Sequence, residues 1–256
     1  MAKKEDGSPL RVRFMNRLRR ILWGEVCISC GDRGAGDELL CAACAAKFQR
    51  KLAEKCPDCG SPRFECYCAP PRLRDAGCEF LAKLASYDAS EADCPLNRVI
   101  WRQKHVRDRE CAAFLAGLLA VPAGELLDGQ GVDRSHLIVT YVPRDPGKIL
   151  ADGHDQARLL AEALAEKLGA PCVRLISRKS GSSEQKNLSA DERDANVKKL
   201  FSLSKEGAAT SLDGMTVLMV DDLVTTGATA AACVGLLRAA GAEVFCAAVA
   251  YTAKRG

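Results

Sequence analysis

The sequence predicts an α/β protein, a mostly parallel sheet flanked by helices and preceded by a small cysteine-rich zinc-ribbon domain. Three observations predict it. From residue 78 onward, short apolar runs alternate with helical patterns, which implies right-handed crossovers and parallel strands. One run, Val217-Leu-Met-Val220, ends in two acids, a Thr/Gly loop and a helix start. Nine of the fourteen cysteines lie between Cys27 and Cys78.

Taken in order, the elements begin with an arm over residues 1–24. Leu10, Phe14, Leu18 and Leu22 fall at helical spacing beside Arg11, Arg13, Arg17, Arg19 and Arg20, which reads as an amphipathic helix with a basic face. It is read as a solvated cap on the zinc region, with a nucleic-acid or membrane-surface arm as the alternative. Residues 25–71 carry the cysteine pairs and little apolar material, so metal is the staple available to so small a domain. Ala69-Pro70-Pro71 reads as its exit linker. Residues 72–256 form the α/β domain. There, strands are expected over Cys78–Tyr87, Leu137–Val142, Cys172–Ile176, Thr216–Val220 and Val244–Ala250. Helices are expected over Leu96–Leu119 (in two pieces), Gln156–Leu168 closed by Gly169, and Ala228–Ala240 closed by Gly241.

Composition excludes several classes. At 256 residues the chain suits one large domain or two smaller ones, at about 150 residues each. Apolar content of 48% and charged content of 27% are ordinary for a globular protein and argue against wholesale disorder or rods. No run approaches about 18 uninterrupted apolar residues, so no transmembrane segment is expected. A net charge of +4 is too mild to argue for nucleic acid by itself, and 5% aromatics leave few stacking platforms. The basic start lacks the apolar core and small-residue cleavage site of a secretory signal. A cytoplasmic location is the default, and in a reducing compartment clustered cysteines bind metal more often than they form disulfides.

The cysteine spacing is Cys27-x2-Cys30, Cys41-x2-Cys44, Cys56-x2-Cys59 and Cys66-x-Cys68. A Cys-x2-Cys pair presents both sulfurs to one ion, and tetrahedral zinc takes four thiolates. Eight cysteines suffice for two structural zinc sites. Sequential pairing gives Cys27/Cys30/Cys41/Cys44 and Cys56/Cys59/Cys66/Cys68; interleaved pairing is open at this point, as is Cys78 replacing a member of the last pair. Disulfides or an iron centre are the competing readings. Gly31 and Gly60 follow the first and third pairs, where a tight turn around the metal is expected. Cys94, Cys111, Cys172, Cys233 and Cys246 read as core residues.

The segment Val217–Thr229 carries the most chemistry. Asp221 and Asp222 stand at the carboxyl end of an apolar strand, where open parallel sheets bind ligands. Thr225, Thr226, Gly227, Ala228 and Thr229 then lead into a helix whose free N–H groups and positive dipole end suit a phosphate. Paired carboxylates beside such a cradle need hydroxyls or a cation, and a ribose diol satisfies them. The bland alternative is a buried strand with an acidic helix cap.

VLMVDDLVTTGAT resembles the signature of the type I phosphoribosyltransferases that binds 5-phosphoribosyl 1-pyrophosphate. With the cysteine pairs, the chain resembles the ComF-type competence proteins, which join a double zinc finger to such a domain. The resemblance spans about Cys27 to Ala250 and includes Tyr141-Val-Pro-Arg144, Gly153-His-Asp-Gln-Ala157 and Gln185-x2-Leu188-x4-Arg193-x2-Asn196-x4-Phe201. It implies a type I phosphoribosyltransferase-like sheet. Asp221 and Asp222 would contact the ribose hydroxyls as catalytic residues, Thr225–Thr229 would hold the 5′-phosphate, and Pro143 and Arg144 would face the pyrophosphate. Arg178–Leu188 would be a covering loop, in keeping with its polar run RKSGSSEQKN. Magnesium would accompany the donor, and the acceptor stays open. The resemblance also implies a link to DNA uptake, with single-stranded DNA and a competence helicase as partners. A non-catalytic zinc-dependent accessory protein with a vestigial site is the alternative. One departure stands out: many relatives show Arg-Gly-Phe-Asn where this chain has Asp152-Gly-His-Asp155. His154 therefore reads as a packing residue, and Arg193 and Asn196 read as loop anchors at least as readily as ligand contacts. Lys104, Arg102 and Arg107 read as a solvated helix face, with contact to DNA or pyrophosphate as the alternative. Oligomeric state is not legible in the sequence.

Overall fold

In a computed structural model, the described residues are 26–32, 39–56, 58–180, 197 and 199–252. The expected arm over 1–24 and the Gln185, Leu188, Arg193 and Asn196 positions lie outside them.

The elements are α1 (Ala42–Leu52), α2 (Pro71–Asp75), β1 (Leu81–Ser86), α3 (Pro95–His105), α4 (Arg109–Gly129), β2 (Leu137–Tyr141), α5 (Pro146–Asp152), α6 (Gln156–Leu168), β3 (Ile176–Arg178), β4 (Phe201–Leu203), α7 (Lys205–Ala209), β5 (Thr216–Val224), α8 (Ala228–Ala239) and β6 (Glu243–Tyr251). Strands β1, β6, β5 and β2 form one sheet in that order, every pair parallel. Strands β3 and β4 make a separate antiparallel ribbon.

Strand alternation sends successive β5 side chains to opposite faces. Leu218 and Val220 join a core with α3, α4 and α6. Val217 and Met219 join a second core with α2 and α8. Helix α4 is long and apolar enough to cross a membrane by length and composition. Here it packs on the sheet and α6, with Leu115, Leu119 and Leu127 fully buried. Its N-cap is Asp108, whose carboxylate accepts the Cys111 N–H at 3.0 Å.

The expected helix Gln156–Leu168 is found as α6, capped by Asp155 and ended by Gly169 in the left-handed region. Other expectations shift. The strand expected over Cys172–Ile176 is a single parallel bridge from Cys172 to Val139, and the strand there is β3, displaced toward the site. β5 does not stop at Val220 but runs through both acids to Val224, held by β6 on one side. Ala69-Pro70-Pro71 is not an open linker: Ala69 is buried, Pro70 caps α2, and Pro71 is its first residue. The cysteine-rich segment draws on the main core. Cys27, Ile28, Leu40, Cys44 and Phe48 pack into the same cluster as α4, and the Phe48 and Phe114 rings lie 5.9 Å apart.

Candidate phosphate-binding cleft and cysteine clusters

β2 and β5 are neighbours, yet the chain leaves them in opposite directions: β5 continues through α8 to β6, whereas β2 continues toward Cys172 on its far side. Such a reversal opens a crevice at the strands' carboxyl ends. A cleft of about 230 Å³ lies there. The structure thus brings Asp221, Asp222, Thr225, Thr226, Gly227, Ala228, Thr229, Pro143 and Arg144 to one cleft. With them lie Lys104 from α3, Asp145 and Lys148 around the start of α5, Gln156 from α6, and Arg178, which is in β3 and not in a loop.

The acids sit in a crowded environment. Asp222 is buried; its Oδ2 accepts Gln156 Nε2 at 3.4 Å and lies 3.7 Å from Lys104 Nζ. Asp221 folds back to accept the Asp222 N–H at 2.9 Å. Burial, and then the neighbouring Asp222 charge, push the Asp221 carboxyl well above the usual carboxylate range. A cation or hydroxyl donor entering this corner would relieve both effects. Lys104 already supplies one positive charge, so reading it as a solvated face is corrected.

At the other side of the cleft, Gly227 takes φ +80° and turns the chain into α8. Thr225 and Thr226 are exposed there, and the Ala228 N–H makes a long 3.4 Å bond to Thr226 Oγ1. The N–H groups of the first helical turn have no intrahelical acceptor and point at this end. A tetrahedral anion fits such a loop.

Arg144 is more constrained than its sequence position suggests. Its guanidinium bonds Asp152 at 2.5 Å and the His154 carbonyl at 3.2 Å, while its N–H donates to Asp155. Asp155 caps α6 at the same time, through the Arg158 N–H. Asp145 caps α5 through the Gly147 N–H and lies 3.7 Å from Arg178 Nη2. Arg178 stacks over the Phe201 ring at 5.6 Å. His154 is buried, with its ring nitrogens 2.9 and 2.7 Å from the Asp152 and Gln103 carbonyls, which agrees with a packing role. It ties α3, and so Lys104, to the loop before α6. Sequence reading missed Lys148 and Gln156, although Asp145-Pro146 is a capped helix start that would have placed Lys148 near the Arg144 loop.

The eight paired cysteines form two groups, Cys27/Cys30/Cys41/Cys44 and Cys56/Cys59/Cys66/Cys68, each with all sulfurs within 4.8 Å of one another. The Cys30 and Cys41 sulfurs are 3.8 Å apart, about the edge of a tetrahedron with metal–sulfur bonds near 2.3 Å. The donor set and spacing fit zinc. Sequential grouping is the one that forms. Cys78 is not in either group: its thiol donates to the Phe80 carbonyl at 3.3 Å in the core beside Cys246. Gly31 and Gly60 take φ +80° and +76°, as expected of turns that close such sites. Burial opposes ionisation of Cys27, yet the Cys30, Cys41 and Ser29 amides outweigh it and bring the thiol to about 6. The Ser61 amide and the Cys66 side chain do the same for Cys59, also to about 6. Cys111, Cys233 and Cys246 are buried, and Cys94 and Cys172 half-buried.

Among curated proteins, none matches this chain. Among solved structures, the chain is similar to the allosteric regulatory enzyme of purine biosynthesis at 21% identity and a TM-score of 0.38, over 58% of this chain and 30% of that one. It is similar to the hypoxanthine phosphoribosyltransferase of Trypanosoma cruzi at 17% identity and a TM-score of 0.30, over 59% of this chain and 66% of that one. The phosphoribosylpyrophosphate synthetase of Mycobacterium smegmatis aligns at 16% identity and a TM-score of 0.31, over 82% and 78%. The chain therefore spans less than a third of the purine enzyme's length. Residues 154–256, which contain α6, β5, the Thr225–Thr229 loop and α8, match the family profile of the phosphoribosyl transferase domain.

Proposed function

We propose that the cleft binds 5-phosphoribosyl 1-pyrophosphate and that the chain transfers its phosphoribosyl group, a pentosyl transfer to an acceptor still to be identified. The observation that carries this reading is one cleft shared by the Asp221–Asp222 pair, the Thr225–Thr229 loop and the basic Arg144–Lys148 segment. In this reading the loop amides and Thr hydroxyls hold the 5′-phosphate. The acids accept the ribose hydroxyls and stabilise the positive charge that develops on the sugar as pyrophosphate leaves, as carboxylates do in glycoside chemistry. Lys148 and Lys104 face the leaving group, and Arg144, already tied to Asp152, fixes the loop that carries Lys148. The carboxylates and the donor's own oxygens are hard ligands suited to magnesium, which would supply charge neutralisation at the pyrophosphate.

The two cysteine groups are read as structural zinc sites. With the domain match, they support a ComF-type assignment organised as a basic arm (1–24), a double zinc-binding segment (25–71) and a phosphoribosyltransferase domain (72–256), working in the cytoplasm and linked to DNA uptake. Single-stranded DNA and a competence helicase are the partners this assignment carries. The alternative, donor sensing without turnover, draws on the prior engagement of Arg144 by Asp152. Calorimetric titration of the donor with magnesium, followed by pyrophosphate release with a panel of bases, ammonia and single-stranded DNA, separates the two. Asp222→Asn should weaken donor binding by at least about tenfold, roughly 1.4 kcal/mol. Unchanged affinity would refute the assignment of the acid pair.

A further inference from the structure

The segment that leaves the second cysteine group runs straight into the phosphate loop. Cys68 is the last member of that group, and Ala69 and Pro70 follow it. The Cβ that Gly227 lacks would stand 3.1 Å from Pro70 Cγ and 3.7 Å from Leu73 Cγ. Leu73, in α2, is fully buried. Two residues span about 7 Å at full extension, so Cys68 and the loop cannot shift independently by much.

The same group is clamped from its other side. Lys83 of β1 is wholly buried, and its ammonium donates to the Cys66 carbonyl at 2.6 Å and the Cys68 carbonyl at 3.0 Å. The Leu81 N–H donates to the Tyr67 carbonyl at 3.0 Å, and Cys68 bridges Phe80. Cys66–Cys68 is thus stitched to the first strand of the sheet, while its continuation props the turn at Gly227. The first group packs into the other core, with α3 and α4.

We propose that metal held by Cys56, Cys59, Cys66 and Cys68 sets the geometry of the phosphate loop, with Pro70 and Leu73 as positioning residues. This rests on the donor-binding reading of the cleft. Metal bonds to Cys66 and Cys68 would tie the start of this strut to Cys56 and Cys59. Without them that start keeps its hydrogen bonds to β1 and the packing of Ala69 but loses its tie to Cys56 and Cys59, Pro70 relaxes from Gly227, and the loop amides lose their alignment. Oriented donors are sensitive to displacements of about 1 Å.

The test uses the full-length zinc-loaded protein and titrates 5-phosphoribosyl 1-pyrophosphate with magnesium by calorimetry. Zinc content, thermal unfolding and hydrogen exchange at residues 225–230 are measured in parallel. Cys59→Ser should lose about one zinc equivalent, as one four-thiolate site predicts, and weaken donor binding by about tenfold or more. Leu73→Ala should keep both metals, weaken binding by roughly threefold or more, and speed exchange in the loop. Leu127→Ala in α4, a core truncation on the opposite side of the sheet, should lower the unfolding temperature and leave affinity unchanged. Should Cys59→Ser not fold, Leu73→Ala decides with its ligands intact. Wild-type affinity in Leu73→Ala, or equal losses in Leu73→Ala and Leu127→Ala, overturns the proposal. If the wild type holds zinc but binds no donor, the reading of the cleft falls, and the proposal with it.

Discussion

Gly227→Ala is the sharpest probe of the Thr225–Thr229 loop. Gly227 holds φ +80° at the N-cap of α8, a conformation that costs a residue with a Cβ about 1–2 kcal/mol. The new Cβ would also meet Pro70 Cγ at 3.1 Å and Pro70 Cβ at 3.6 Å, a contact that closes only if Pro70 gives way by a few tenths of an ångström. Pro70 caps α2 and follows a buried Ala69, so it has little room. Overpacking of this kind adds about 1 kcal/mol or more, for a total of roughly 2–3 kcal/mol. Urea unfolding at neutral pH, followed by far-ultraviolet circular dichroism, measures the loss. A double-mutant cycle with Pro70→Ala separates the two sources. The steric part should be recovered in the double variant, and the backbone part of about 1–2 kcal/mol should persist. A neutral Gly227→Ala would refute the left-handed turn, and strict additivity would refute the contact with Pro70.

Asp221 predicts a trade between stability and binding. Its carboxyl is held well above the unfolded value near 3.9. Between those values the native state binds more protons than the unfolded one, so stability falls as pH rises through the window. Asp221→Asn should therefore be more stable than wild type at pH 7, with the gain vanishing toward pH 4, while donor binding is lost; urea midpoints across that range check the sign. Elemental analysis of tag-free protein should find about two zinc equivalents per chain, as four thiolates per site require, and strong chelation should lower the unfolding temperature. Any binding of single-stranded DNA should be insensitive to sequence, with a salt slope of about −0.7 per phosphate neutralised. Deleting residues 1–22, with their five arginines, should flatten that slope and leave donor affinity unchanged, and equal slopes would free the arm of that role.

What the sequence determined by itself is what local chemistry dictates. Helix α6 is bounded by an Asp cap and a glycine stop, both signals that act within one turn. The apolar run before Asp221, and the Thr-Gly-Ala-Thr turn after it, announce a strand end facing a helix start. Cys-x2-Cys spacing announces a pair of sulfurs that can face one ion. Which cysteines share an ion was undecided, because spacing constrains each pair and not the pairing of pairs; folding α1 beside Cys27–Cys30 decides it. The antiparallel β3–β4 ribbon was missed for a related reason: each strand has three residues, too few for a period of two to show, and each exists because the other pairs with it. Lys104 looks solvated along its helix, and only the approach of α3 to β5 carries its ammonium to Asp222. Pro70 and Pro71 read as a linker because prolines punctuate chains. Tertiary structure uses the same rigidity to start α2 and to brace Gly227, some 157 residues further along the chain. Contacts across that separation are set by the layering of helices on the sheet, which no local pattern encodes.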